Sequence, residues 1–126
     1  MKYITLILIT TQILLFSYCR KSSNDSSSIT GKWKLDSVQL RMAYPDRIEY
    51  TTIYKPTTDY YDFRTDNKLY RLWMGTYDTI SYQITTLNSK SLIQYPGSAD
   101  TIIVLTEKSL IVKAPQGSDS KLFLSK

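Results

Sequence analysis

The sequence predicts an all-β fold, an antiparallel up-and-down meander of about eight strands that closes into a barrel. Three observations favour this class. After residue 28 the chain is rich in Thr, Tyr, Ile and Val, which strands favour. Short apolar runs are separated by polar turn residues, and no apolar stripe has the period of a helix. A two-sheet β-sandwich is the alternative arrangement of the same strands.

The first predicted strand covers residues 32–40. Its apolar residues change phase between Leu35 and Val38, which indicates a bulge or a bend. A second strand is expected over residues 47–54, because a proline stands on either side of that run and proline seldom occupies a strand interior.

The rest of the chain is predicted to form hairpins. Residues 60–64 and 69–74 flank Asp66 and Asn67, whose side chains favour tight turns. Residues 80–85 show the cleanest apolar–polar alternation of the sequence and predict one half-buried strand. The remaining strands are expected over residues 91–95, 101–105, 109–113 and 121–124.

The N-terminus has the layout of an export signal. Lys2 precedes an apolar run over residues 4–16, which is too short to span a bilayer comfortably, and the chain turns polar after Cys19. Residues 15–19, Leu-Phe-Ser-Tyr-Cys, resemble the lipobox of bacterial lipoproteins. That resemblance implies a diacylglycerol on the thiol of Cys19 and cleavage just before it. We therefore expect a signal peptide over residues 1–18.

The polar run after the cysteine predicts a tether. Residues 19–28 are too small and polar to bury enough surface to offset their ordering entropy, and residues 29–126 hold the folded domain. The expected location is the bacterial cell envelope, with a lipid anchor in the outer membrane. In some bacterial groups an acidic cluster after the cysteine is associated with export to the cell surface. No such cluster follows Cys19, so the periplasmic face is favoured.

A tripeptide near the start of the domain refines the expected fold. Gly31-Lys32-Trp33 resembles the Gly-X-Trp signature on the first strand of lipocalins. Followed by a β-meander, it is similar to the small lipocalin-like domains of many bacterial lipoproteins. The resemblance implies an antiparallel barrel with Trp33 plugging one end. Full lipocalins place an arginine from near the last strand over this tryptophan. This sequence departs from that pattern, and only Lys113 or Lys121 could take the position here.

The composition excludes several kinds of chemistry. The chain has no histidine, which removes Ser-His-Asp catalysis and the commonest metal ligand, so no metal and no cofactor are expected. Asp59, Asp62 and Asp66 could supply a glycosidase-like carboxylate pair, but Asp62 is expected on an outward face and Asp66 in a turn. The protein is therefore not expected to be an enzyme. An export signal also argues against nucleic acid as a partner.

Two functions remain as expectations. The first is a membrane-anchored envelope lipoprotein that binds a small apolar ligand or an envelope protein. The second is a non-catalytic interaction or inhibitor module that acts through a surface patch near Trp73. If Arg71 faces water, Trp73 lies outside beside it, which is typical of a contact patch. The opposite register, with Trp73 buried and Arg71 at a barrel mouth, is equally compatible with the sequence.

Overall fold

The computed structural model of the protein describes residues 28–114 and 119–126. The predicted signal peptide, Cys19 and all but the last residue of the predicted tether lie outside these ranges. Within them, no helix is long and apolar enough to cross a bilayer.

The described residues confirm the predicted class, because they form an antiparallel all-β meander without helices. Its ten strands belong to one sheet that curls strongly into a half-barrel. The strands are β1 (Gly31–Ala43), β2 (Ile48–Tyr54), β3 (Tyr60–Phe63), β4 (Lys68–Trp73), β5 (Thr76–Ser81), β6 (Gln83–Leu87), β7 (Lys90–Tyr95), β8 (Ser98–Leu105), β9 (Ser109–Lys113) and β10 (Ser120–Ser125).

The long first strand organises the sheet, whose order is β5-β4-β3-β1-β10-β9-β8-β7-β6. One edge of β1 pairs with β10. The other edge is shared, because β3 pairs with its first residues and β2 pairs with its second half. The predicted bulge is confirmed, since the β1–β10 register shifts between Leu35 and Ser37. The bulge lets Leu35 and Val38 both turn inward, where they are buried.

The two ends of the sheet meet at Tyr82. Strands β5 and β6 lie at opposite ends of the hydrogen-bonded path, yet Tyr82 alone separates them in the chain. Its N–H donates to the carbonyl oxygen of Asn67 at 2.9 Å, and its hydroxyl donates to the carbonyl oxygen of Arg64 at 2.9 Å. The predicted strand over residues 80–85 is therefore two strands, because the chain crosses from one end of the sheet to the other. We call this crossing the seam.

The core fills the concave side of the sheet. Trp33, Leu35, Leu69 and Leu110 are fully buried, and Phe63 is 1% exposed. The other buried apolar residues in this cluster are Ile29, Val38, Tyr61, Tyr82, Ile93, Val112, Leu122 and Leu124. They come from β1, β3, β4, β7, β9 and β10, from Ile29 before β1 and from Tyr82 at the seam, so the interior of the half-barrel is filled by its own side chains.

Candidate functional site

Gly31 and Trp33, which carry the sequence signature, lie at the start of β1. The indole N–H of Trp33 donates to the carbonyl oxygen of Ile29 at 2.6 Å. The ammonium group of Lys126 lies 4.1 Å from the centre of the Trp33 ring and donates to the carbonyl oxygen of Thr30 at 2.9 Å. Gly31 has a φ of 121°, and a Cβ there would lie 3.2 Å from Cε of Lys126. The backbone angle therefore favours glycine here, whereas the flexible end of the Lys126 side chain could shift slightly to accept a Cβ.

Lys126 occupies the position that we expected Lys113 or Lys121 to take. Lys113 instead pairs with Asp119 at 3.3 Å, and the ammonium group of Lys121 lies 3.8 Å from the centre of the Tyr50 ring. The expectation was wrong because successive residues of a strand point to opposite faces. Lys113 follows the buried Val112 on β9 and Lys121 precedes the buried Leu122 on β10, so both face away from Trp33, and the cation that reaches it comes from just beyond β10.

Arg71 and Trp73 lie on the inner face of β4, in the second of the two registers that the sequence left open. Arg71 donates two hydrogen bonds to the carboxylate of Asp78, at 2.7 and 2.8 Å. Trp73 is half-buried, with its ring centre 5.8 Å from that of Tyr54 and 6.3 Å from that of Tyr61. Whether these two residues form a contact patch stays a prediction.

A polar cluster crosses the interior from β3 and β4 to β7 and β8. Burial raises the pKa of Tyr61 to about 12, while the positive charge of Arg71 acts to lower it. Burial also raises the pKa of Asp100 to about 6, against the opposing effects of a hydrogen bond with Tyr95 and the charge of Arg71. The pKa of Tyr95 is raised as well, first by burial and then by the charge of Asp100. Electrostatic interactions among these groups therefore link β3 and β4 to β7 and β8.

The raised pKa of Asp100 makes stability depend on pH. Its pKa rises from 3.8 in the unfolded chain to about 6 in the folded protein, so the folded state favours the protonated form. Protonation of Asp100 therefore stabilises the folded protein. This stabilisation is complete below the unfolded pKa of 3.8 and is lost as the pH rises through the folded pKa of about 6. Asp100→Asn should raise the free energy of unfolding by roughly 2 kcal/mol at about pH 8 and change it little at about pH 4.

Urea denaturation of both proteins at the two pH values measures this difference. Asp78→Asn is the control, because Asp78 pairs with Arg71 and its replacement should destabilise at about pH 8. A gain from Asp100→Asn that is equal at both pH values would contradict the titration of Asp100.

A cleft opens at the seam, where no ladder joins the two ends of the sheet. Its volume is about 720 Å³. Its apolar lining consists of Ile29, Tyr82, Ile84, Ile102 and Leu105, and its polar lining consists of Ser28, Thr30, Arg64, Thr65, Asn67 and Ser91. The lining is therefore mixed, with apolar side chains that a ligand could cover and polar groups that could orient it, as small-molecule sites require. We call this the seam cleft.

A smaller cavity of about 330 Å³ also lies at the seam. Tyr82 and Asn67 line both spaces, and the smaller one also contacts Gln94 and Tyr95 of β7. Neither space was predicted from the sequence.

The three aspartates considered for catalysis are engaged separately. Asp59 is 3% exposed and accepts hydrogen bonds from the hydroxyl of Tyr54 at 2.9 Å and from the N–H of Met74 at 2.8 Å. Asp62 pairs with Arg64 at 3.0 Å, and Asp66 accepts from the backbone N–H of Lys68 at 3.0 Å.

The described residues were also compared for side chains that could bind a metal ion together. Across residues 28–114 and 119–126, no group of three or more His, Cys, Asp or Glu side chains could hold a metal ion.

The described residues thus form an all-β half-barrel with an open cleft at its seam. No protein-family model and no curated protein matches the chain. A crystal structure of an uncharacterized protein from Bacteroides eggerthii DSM 20697 is a distant structural neighbour, with 14% sequence identity and a TM-score of 0.48. The alignment covers 79% of this chain and 99% of that chain.

Proposed function

We propose that the protein is a lipid-anchored, lipocalin-like envelope protein that binds a small apolar ligand in the seam cleft. The observation that carries the proposal is the cleft itself, which offers about 720 Å³ beside five apolar or aromatic side chains. A space of that size suits a ligand of a few hundred daltons, whose burial would remove apolar surface from water.

The position of the cleft fits an anchored protein. Ser28, Ile29 and Thr30 line it, so it opens where the chain enters the domain. An extended tether from Cys19 to Ser28 would be at most about 30 Å long. A ligand that partitions into the membrane would therefore be concentrated near the opening, and the proposed lipid on Cys19 would hold the cleft there.

The filled core limits where such a ligand could bind. Trp33, Phe63, Leu69, Ile93 and Leu110 are each at most 1% exposed and occupy the middle of the concave side. Lipocalin-like binding along the barrel axis would require these side chains to move. Binding at the seam requires no such rearrangement, which favours the seam cleft.

Substitutions on β8 test the proposal. Ile102 lines the cleft, whereas its neighbour Ile103 is 47% exposed and does not. In a titration of the full chain in detergent with the uncharged fluorophore N-phenyl-1-naphthylamine, Ile102→Lys should weaken binding about tenfold or more. Ile103→Lys adds the same charge and should leave affinity unchanged. Equal affinity in both variants would contradict binding in the cleft.

The anchor is tested separately by metabolic labelling with palmitate. The wild-type chain should incorporate the label and Cys19→Ala should not, because the thiol is the proposed site of acylation. Equal labelling of the two chains would contradict the lipoprotein assignment and leave the cleft experiment unaffected.

A second candidate function is an interaction or inhibitor module that acts through the surface near Trp73. Met74 follows Trp73 and is 60% exposed, and its backbone N–H is held by the buried carboxylate of Asp59. The exposed side chain is thus presented from a fixed turn, which lowers the entropic cost of binding a partner. Loss of a partner from envelope extracts in a pull-down with Met74→Asp would favour this module.

A further inference from the structure

The outer face of the sheet carries a second feature, which lies across strands and was not visible in the sequence. The pairing registers place Tyr77 of β5 opposite Leu72 of β4, and Leu72 opposite Tyr60 of β3. Tyr60 lies opposite Lys34 of β1, which lies opposite Ser125 of β10. One row of side chains therefore crosses five neighbouring strands, with two tyrosines and a leucine leading to a lysine.

This row forms the floor of a groove of about 510 Å³. Leu72 is 8% exposed, whereas Tyr77 is 72% exposed and stands at one side. Because neighbouring strands are about 4.8 Å apart, the two tyrosines are separated by about 10 Å along the row and Lys34 follows about 5 Å further. We call this the outer groove.

The outer groove is positively charged. Lys32, Lys34 and Lys126 line it, and Asp59 is the acidic residue among its lining residues. The carboxylate of Asp59 is 3% exposed and already accepts two hydrogen bonds, so it is not available to pair with these lysines. Asp62, which lies opposite Lys32 in the ladder, is paired with Arg64 at 3.0 Å.

Lys126 is held by Thr30 and Trp33, but the other two lysines are weakly held. The ammonium group of Lys34 lies 3.9 Å from Asp36, and its side chain is 62% exposed. The ammonium group of Lys32 lies 3.8 Å from the centre of the Tyr60 ring. A pair at that distance and exposure contributes little to stability, so both groups can reorient toward an anion at low cost.

The chemistry of the groove specifies the kind of ligand. Tyr77 is exposed and Tyr60 is half-buried, and tyrosine rings stack on flat faces with a partly apolar surface, whereas lysine ammonium groups bind an acid as point charges. We propose that the outer groove binds a sugar ring that carries a carboxylate, with the ring against Tyr77 and Tyr60 and the carboxylate beside Lys34 and Lys32. The sugar is either a free acidic monosaccharide or a unit of an acidic envelope polymer.

The outer groove is independent of the seam cleft. Its lining residues come from β1, β3, β4, β5, the end of β10, Lys126 and the two residues before β3, and it shares none of them with the cleft. Ile102→Lys should therefore leave acidic-sugar binding unchanged, and failure of either proposal would not affect the other.

Isothermal titration of the full chain in detergent with glucuronate, glucose and tri-galacturonate tests the site. Glucuronate should bind at least about tenfold more tightly than glucose, because glucose lacks the carboxylate. Tighter binding of tri-galacturonate than of glucuronate would assign the site to a polymer, and equal affinity would assign it to a monosaccharide. No binding of either acid at millimolar concentration would overturn the proposal.

Matched variants locate the binding. Lys34→Glu should weaken glucuronate binding about tenfold or more, and Tyr77→Ala should weaken it while leaving its salt dependence unchanged. Lys90→Glu makes the same charge change at an exposed residue of β7 outside the groove and should have little effect. Equal weakening by Lys34→Glu and Lys90→Glu would show that net charge, not the groove, attracts the acid and would overturn the proposal.

Discussion

Trp33→Ala is expected to lower the free energy of unfolding by about 3–5 kcal/mol, the usual cost of emptying a buried tryptophan site. Trp33 is fully buried and packs within the core cluster, so the surrounding backbone cannot collapse freely into the space. The variant also removes the donor that satisfies the carbonyl oxygen of Ile29. Urea denaturation followed by far-UV circular dichroism measures the loss.

Two further variants divide this loss into its causes. Trp33→Phe keeps an aromatic ring but removes the hydrogen bond to Ile29, and we expect it to cost less than Trp33→Ala. Lys126→Ala keeps the ring and removes the cation above it, at an expected cost of about 0.5–1 kcal/mol. If Trp33→Ala were no more destabilising than Lys126→Ala, Trp33 would not be the residue that anchors the core.

Local features of the fold could be predicted because they depend on neighbours in the chain. The phase change between Leu35 and Val38 predicted a bulge, and the β1–β10 register shifts there. The Asp66-Asn67 turn joins β3 to β4 as expected, with Asn67 at a φ of 61°. In both cases a residue type or a period restricts the backbone directly.

The seam could not be predicted, because its cause lies in the whole sheet. Residues 80–85 alternate without interruption, and alternation shows which face a residue occupies but not which strand is its partner. Ile80 pairs with Leu69 of β4, whereas Ile84 pairs with Ile93 of β7. The division at Tyr82 follows from the curl of the sheet, which brings its two ends together at that residue.

The long-range contacts at the candidate sites were hidden for a similar reason. Lys126 reaches Thr30 across a separation of 96 residues, so no local pattern marks it as the cation above Trp33. From the sequence alone, Asp100 looks like an ordinary surface carboxylate. Its inward position is evident only from the register, which pairs it with the buried Ile93 of β7. The outer groove likewise depends on the register of five strands.

Asp59 is a buried polar residue whose hydrogen bonds connect three separate parts of the fold. Its buried carboxylate accepts from the hydroxyl of Tyr54 and from the N–H of Met74, and its own backbone oxygen accepts from the N–H of Leu35 at 2.9 Å. The residue thus connects the end of β2, the β4–β5 turn and the first strand. The hydrogen bond to Asp59 also raises the pKa of Tyr54 above its usual value.

Asp59→Ala is expected to lower the free energy of unfolding by about 2–3 kcal/mol, because two donors lose their buried acceptor. It should also move the pKa of Tyr54 back toward 10.0, which a ¹³C-tyrosine NMR titration would detect. Asp62→Ala is the matched control and should cost less than about 1 kcal/mol, since Asp62 pairs with an exposed arginine. Equal losses from the two variants, with the pKa of Tyr54 unchanged, would show that Asp59 is an ordinary surface acid and not the link between these three elements.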